Sequence, residues 1–312
     1  METAFMLFAF PDYQGCASAL ESAGFRERKF VISRFANQEL YAAFDGSVAG
    51  QCCCLLGSIA PPEAQLVEML LLAHTLKQGG AAQIHGIFPY LAYSRQDKAK
   101  AGESLTAAWV GALLRASGFD RILTVDVHSE RDGALFPIPI NSFSPAALIA
   151  AALREHGLAD ATIVAPDGGA VARCQAVRRE LGQSCDEVPY FEKRRTAEGI
   201  VHGNLVGRPG PRVVFVDDIL DTGKTLVSAC ERLIYLGVEE IFIVATHGLF
   251  TGEEWKRLWS LRVKRIFCTD TVQPPRFSSA ADKITVLPVV AALLSQQFGL
   301  RPIRAAEPAV PS

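Results

Sequence analysis

The chain has no apolar run approaching the ~18 residues that would suggest a membrane span. Its first residues also lack the basic stretch of a secretory leader: Met1–Phe10 is a short apolar patch that Pro11-Asp12 interrupts. Charge of one sign is missing too. Thirty-one Lys and Arg against 33 Asp and Glu leave a formal charge of −2, which excludes a general electrostatic grip on nucleic acid. Any anion site therefore has to be local. No Cys-x-x-Cys pair occurs among the eight cysteines. Cys52-Cys53-Cys54 leads into Leu55-Leu56 as small apolar residues of a buried strand would. Neighbours along a strand point to opposite faces, so the triplet is not expected to form a ligand cluster. All eight are expected to be reduced thiols of a soluble, cytoplasmic protein. One more absence concerns phosphate. Gly223-Lys224-Thr225 has the ending of a P-loop, but that motif needs glycine at 218, where Asp218 stands.

What is present is ample apolar material. At 312 residues and 49% hydrophobic, the chain can bury two cores, and two domains are the default for this length. Strand and helix patterns alternate. A helix opens after Pro61-Pro62-Glu63 and stops at Gly79-Gly80, with Leu66, Met69, Leu70, Ala73 and Leu76 on its apolar stripe. Strands are expected at 84–88, 122–127, 162–165, 212–217 and 241–245, and helices at 105–116, 145–156, 170–181 and 224–236. Such alternation means α/β domains, each with a mostly parallel sheet flanked by helices. Arg121–Asp126 echoes Arg212–Asp217 in pattern and in its acidic end. The echo suggests equivalent strands of two similar domains, 1–143 and 144–312. Ligands of such folds bind beyond the carboxyl ends of the strands.

The densest polar signal lies at one of those ends. Val213-Val214-Phe215-Val216 runs into Asp217-Asp218, then Ile219-Leu220, then Asp221-Thr222-Gly223-Lys224-Thr225 and a helix. Backbone N–H groups and the helix dipole can hold a phosphate there, while the paired carboxylates accept hydrogen bonds from sugar hydroxyls. An ordinary buried βα turn would have no use for three carboxylates within five positions. The stretch resembles the binding motif for phosphoribosyl pyrophosphate (PRPP) shared by phosphoribosyltransferases and ribose-phosphate pyrophosphokinases, the PRPP synthases.

Further segments extend the resemblance to the synthases, in family order over most of the chain. Arg95-Gln96-Asp97 alone would be a solvated loop, but after Pro89-Tyr90-x-x-Tyr93 it resembles the family's ATP-binding loop. His128, in Asp126-Val127-His128-Ser129-Glu130, matches the histidine that binds the magnesium accompanying ATP. Asp167, before Gly168-Gly169, matches the second metal carboxylate and is also a candidate helix cap. In Lys193-Arg194-Arg195, which matches a mobile catalytic loop, Lys193 and Arg195 correspond to the residues that stabilise the transferring phosphate, and Arg195 also to a sugar-phosphate contact. Phe35-Ala36-Asn37-Gln38-Glu39 is similar to the segment that contacts adenine from a neighbouring subunit. Asn37 and Gln38 stand where the family has Asp and Gly. The short stretches after Asp97 and after Arg195 are more like the archaeal type.

The resemblance implies two phosphoribosyltransferase-like domains and a magnesium-dependent transfer of diphosphate from ATP to ribose 5-phosphate, giving PRPP and AMP. Phe35, Asn37, Gln38, Glu39, Arg95, Gln96, Asp97 and His128 would serve ATP. Asp217, Asp218, Asp221, Thr222, Gly223, Lys224, Thr225 and Arg195 would serve ribose 5-phosphate, and His128 and Asp167 would hold Mg2+. A homo-oligomer sharing its nucleotide site between subunits is implied, with neither nucleic acid nor membrane as partner. Two alternatives stay open: a phosphoribosyltransferase, which shares only the 213–225 motif, and a non-catalytic PRPP-synthase-associated regulatory protein.

Overall fold

Val213–Val216 and Cys52–Leu56 are buried on both faces, as strands covered by helices on either side must be. A computed structural model of the chain describes residues 5–22, 24–94, 101–127, 135–184, 187–196, 199–273 and 281–298, with the backbone alone for 17–19, 22, 281, 293, 297 and the described part of 193–202. Within the described residues no helix is long and apolar enough to cross a membrane.

The chain divides into two units. In the first, strands β1 (Met6–Ala9), β2 (Arg26–Glu27), β5 (Cys52–Leu56), β6 (Gln83–Ile87), β7 (Arg121–Val125) and β8 (Ile140–Phe143) form a six-stranded sheet in the order β2-β1-β5-β6-β7-β8. Every pairing in it is parallel. An antiparallel hairpin, β3 (Phe30–Arg34) with β4 (Leu40–Phe44), stands apart from that sheet. Helices α1 (Gln14–Ser22), α2 (Ala64–Gln78) and α3 (Thr106–Ala116) connect the strands.

The second unit begins at Ser144. Its helix α4 (Ala146–Glu155) leads to β9 (Thr162–Val164) and α5 (Val171–Leu181). A hairpin of β10 (Tyr190–Thr196) and β11 (Gly199–Val206) follows. Then come β12 (Arg212–Leu220), α6 (Lys224–Tyr235), β13 (Glu240–Gly248), β14 (Val263–Thr269) and β15 (Ile284–Leu287). The sheet runs β15-β14-β13-β12-β9 and is parallel throughout.

Two sequence expectations change here. The expected second domain, 144–312, does not keep its last helix. In α7 (Val290–Gln297), Val290, Ala291 and Leu294 join a core with Leu7, Ala9, Leu20, Phe25 and Leu56, so the helix belongs to the first unit. Its apolar face finds the uncovered side of the first sheet next to α1.

The echo of 121–126 in 212–217 is likewise no structural equivalence. The two sheets share the sequence of first strand, hairpin, then four successive parallel neighbours. In that scheme β12 corresponds to β5, and β7 to β14. Both members of the echo are buried parallel strands, which favour the same β-branched residues wherever they stand in a sheet.

The position of α7 gives a direct test. Leu294→Ala, which empties a 3%-exposed core position, should cost about 2–5 kcal/mol. Hydrogen exchange should show the loss in β1 and β5, with β12–β14 keeping their protection; equal loss in both sheets would contradict the assignment of α7.

Candidate active site

The strand carrying the acidic pair is longer than expected. β12 continues past Asp217 and Asp218 to Leu220, because β13 pairs with it as far as Leu220–Gly248. The carboxylates therefore sit inside a hydrogen-bonded strand rather than on a loose turn. Asp217 Oδ1 accepts from the Asp218 N–H at 3.0 Å, and Asp218 Oδ1 from the Ile219 N–H at 2.9 Å. Each carboxylate is thus oriented by backbone next to it.

Two adjacent buried carboxylates repel, and a cation answers them. Arg173, in the first turn of α5, reaches Asp217 Oδ1 at 3.9 Å and Asp218 Oδ2 at 3.7 Å. Sequence reading missed this residue, since a lone Arg in a helix carries no motif. Its signal was positional: it lies six residues after Asp167, on the helix that the Asp167 turn starts. The balance is incomplete. Burial first, and then the charge of Asp218, push the Asp217 carboxyl well above its ordinary range, with Arg173 pulling the other way. The Asp217 side chain keeps a narrow opening, 18% exposed, through which a ligand can be met.

The loop beyond the strand is closely constrained. Gly223 has φ +78°, and a Cβ there would lie 2.7 Å from Trp255 Cα and 2.8 Å from its Cβ. Glycine is required by both conformation and space. The segment after β13 clasps the loop: the Leu249 and Phe250 N–H groups donate to Leu220 O, and the Thr251 N–H to Asp221 O. Trp255 is itself fixed by its Nε1–H donating to Gly252 O at 3.0 Å and by an edge contact with Phe250. Gly223 then caps α6, which starts at Lys224 with no side-chain cap, leaving N–H groups at that end for a ligand to accept from.

Asp167 stands at the end of β9, where its Oδ1 accepts from the Gly169 N–H at 2.7 Å and caps the turn Gly168–Ala170 that leads into α5. That turn packs against β12 and against β10. One carboxylate lone pair is used in the cap, and an ionised carboxylate offers about four, so capping and metal binding are compatible. The basic triplet Lys193-Arg194-Arg195 lies in β10, paired with Ile200–His202 of β11. The expected loop is thus an antiparallel hairpin whose root, at Tyr190, bridges to Ala165 of the β9 end. Positions 193 and 195 alternate on one strand.

In the first unit, Phe35, Asn37, Gln38 and Glu39 form the tip of the β3–β4 hairpin. Phe35 is 55% exposed and packs against Tyr41 with tilted rings, centroids 5.1 Å apart. Gln38 takes φ +72°, so the turn keeps a glycine-like conformation without the glycine, at a cost of about 1–2 kcal/mol. The Arg34 guanidinium donates to Gln38 O at 2.7 Å and Asn37 Oδ1 accepts from the Glu39 N–H at 3.2 Å, which hold it there. Arg95, Gln96, Asp97 and His128 lie outside the described residues, as does Cys185.

The strained acidic pair has a measurable signature. With a raised native pKa, Asp217 binds its proton more tightly in the folded than in the unfolded chain. The stability this confers is complete below the ordinary aspartate pKa of about 3.9, and it is lost as pH rises through the native value. Asp217→Asn mimics the protonated form. The ligand-free variant should be more stable than the parent at pH 7, by on the order of 1 kcal/mol, with the gap closing toward pH 4. Denaturant unfolding at both pH values checks it; a variant less stable at pH 7 would mean that Arg173 already satisfies the pair.

The chain was compared with known proteins. Residues 6–118 match the family model for the N-terminal domain of ribose phosphate pyrophosphokinase, and residues 141–278 match the phosphoribosyl transferase domain. Among curated relatives, the ribose-phosphate pyrophosphokinase of Maricaulis maris is 32% identical over 263 residues, covering 83% of this chain and 84% of the relative. That of Caldanaerobacter subterraneus is 32% identical over 271 residues, with 85% and 84% covered. Among solved structures, phosphoribosylpyrophosphate synthetase from Mycobacterium smegmatis aligns with a TM-score of 0.82 at 30% identity, over 95% of this chain and 98% of that one. With both domains matched in order and the fold shared over nearly the whole length, this chain belongs to the ribose-phosphate pyrophosphokinase family.

Proposed function

We propose that the chain makes PRPP by transferring the terminal diphosphate of ATP to the C1 hydroxyl of ribose 5-phosphate, with AMP as the other product. The observation that carries this reading is the pairing of Asp217 and Asp218, oriented by their own backbone and countered by Arg173, with the glycine-dependent N-terminus of α6. A carboxylate pair accepts from two vicinal hydroxyls, and a free helix end accepts a phosphate; one phosphorylated pentose offers both. Asp221, Thr222, Gly223, Lys224 and Thr225 would hold the 5-phosphate, and Asp217 and Asp218 the 2- and 3-hydroxyls.

ATP would be held by Arg95, Gln96, Asp97 and His128, and by Phe35, Asn37, Gln38 and Glu39 of a neighbouring subunit. The exposure of Phe35 at a hairpin tip supports that role, and with it a homo-oligomer. Mg2+ suits the donors at hand. Asp167 is a half-buried carboxylate at the end of β9, His128 would join it, and a hard cation of this kind keeps several waters and substrate phosphates besides. When bound, the ion supplies charge neutralisation on the phosphate oxygens. Lys193 and Arg195 would add to it from the β10–β11 hairpin, which packs beside α6. In-line attack on the β-phosphorus asks the protein mainly for positioning and for countering spread negative charge, which these residues provide. A cytoplasmic location accords with the substrates and the reduced thiols.

The test is product analysis with Mg2+, ATP and ribose 5-phosphate, resolving AMP from ADP. Equal AMP and PRPP are expected, and Arg195→Ala should lower turnover by about 10³-fold or more, the scale of a lost arginine finger. ADP as product would overturn diphosphate transfer. Near-normal turnover of the variant would remove Arg195 from the chemistry, and PRPP binding without turnover would favour a regulatory relative.

A further inference from the structure

Three side chains that this reaction leaves unused meet on one face of the first sheet. Cys52 opens β5, and Cys54 follows two residues later, on the same side of the strand. In the parallel register β6 places His85 opposite Cys54. The two Sγ atoms and a ring nitrogen of His85 all lie within 4.8 Å of one another. Cys52 Sγ is 3.8 Å from His85 Nδ1 and 3.9 Å from Nε2. All three residues are buried, Cys54 completely. The Phe298 ring lies stacked over the imidazole, 6.4 Å between centroids.

This corrects the sequence reading. Strand neighbours do diverge at Cys52 and Cys53, which take opposite faces. Residues two apart share a face, and the next strand brings His85 alongside them.

We propose that Cys52, Cys54 and His85 form a binding site for a thiophilic closed-shell metal ion, Zn2+ or Cu+. Thiolate and imidazole together are the donors that such ions select, while Mg2+ takes oxygen. The donors brought together here are two sulfurs and a nitrogen, and the carboxylate whose charge reaches Cys52, Asp120, has its Oδ2 engaged by the Ile84 N–H at 2.8 Å and by Lys77 at 3.3 Å. The spacing needs little adjustment. Bonds of about 2.3 Å to sulfur and about 2.0–2.1 Å to nitrogen bring donors within 4 Å of each other around one ion; the Cys52–His85 separation already meets that, and the other two lie within 4.8 Å. Binding displaces the two thiol protons to solvent, and the resulting charge of −2 is cancelled by Zn2+ or halved by Cu+. With three protein donors, Cu+ can remain three-coordinate, whereas Zn2+ would complete a tetrahedron with water, as in zinc sites holding three protein ligands.

The place in the fold separates this site from the reaction. Cys52 lies at the amino end of β5, about 13 Å along the strand from its carboxyl end, and the ATP-loop residues follow the carboxyl end of β6. Metal binding here would tie β5 to β6 within the first unit.

The test is anaerobic titration of the metal-free full chain with Zn2+ in one arm and Cu+ in the other, each against a competing chelator. X-ray absorption would count the donors. One equivalent bound through two sulfurs and one nitrogen is expected for at least one ion. Loss of an outer partner already costs about 10–100-fold in metal affinity, so Cys52→Ser and His85→Gln should each weaken binding by about 100-fold or more. Cys53→Ser, whose side chain faces away, should bind as the parent does. Each variant is first shown to unfold cooperatively. No stoichiometric binding of either ion would overturn the proposal. So would undiminished binding by the Cys52→Ser/His85→Gln double variant, or binding abolished by Cys53→Ser in a folded chain.

Discussion

The second unit is organised around two carboxylates held side by side at the end of a buried strand. Neither can be moved to relieve the other, because each accepts a hydrogen bond from the next residue's backbone. The strand cannot fray to let them out either, since β13 pairs with it through Leu220. The repulsion has to be met from elsewhere, and Arg173 meets it from α5. That places a demand on the start of α5, which depends on the Asp167 cap and its turn. One electrostatic problem thus ties β12, β9 and α5 into a single arrangement. The pair stores an unfavourable interaction that the hydroxyls of the proposed sugar ligand would relieve.

Downstream of the pair the constraint becomes steric. Gly223 has no room for a Cβ because Trp255 stands against it, and Trp255 is kept there by Phe250 and by Gly252 O. The clasp from Leu249, Phe250 and Thr251 onto Leu220 and Asp221 leaves the loop one path into α6. A loop so held would bind the proposed phosphate with little ordering cost, since the N–H groups at the helix end are already in place.

The central strands β5, β6, β7, β9, β12 and β13 and the helices α2 to α6 were legible in the sequence because buried parallel strands read as unbroken apolar runs, and helix ends carry proline, serine and glycine in characteristic places. Strands β1, β2, β8, β14 and β15 and helix α1 were not read. The acidic loop was legible for a different reason: Asp-Asp-x-x-Asp-Thr-Gly at a strand end has no structural use. Legibility failed where a relation between distant segments decides the outcome. Arg173 acquires its role only once β12 is folded beside α5. The hairpins β3–β4 and β10–β11 stand outside the sheets; β10 is too rich in charge to read as a strand, and the apolar run Leu40–Phe44 of β4 was passed over. His85 joins Cys52 and Cys54 through a register between β5 and β6 that no local pattern encodes. The helix α7 presents apolar residues without specifying which core they enter.

The two units repeat one topology, yet they assign polar residues to different strand ends. In the second unit the carboxylates stand on β12, while its neighbours β13 and β14 end in a closed network. There His247 Nδ1 contacts Thr271 Oγ1 at 2.8 Å, and Thr269 Oγ1 donates to Thr246 O at 2.7 Å. These polar groups satisfy each other in a buried setting. In the first unit the pattern is inverted. The counterpart of β12 is β5, which ends in buried Leu55 and Leu56 and has nothing to offer a sugar, whereas the chain beyond β6 and β7 carries Arg95, Gln96, Asp97 and His128. A duplicated sheet offers the same set of strand ends twice, and burying a polar residue at an end costs free energy unless it is paired or used. At the strand ends of the second unit, the buried polar groups of β13 and β14 are thus paired with one another, while the carboxylates of β12 rely on Arg173. That division, more than any difference in topology, distinguishes the strand ends of the two units.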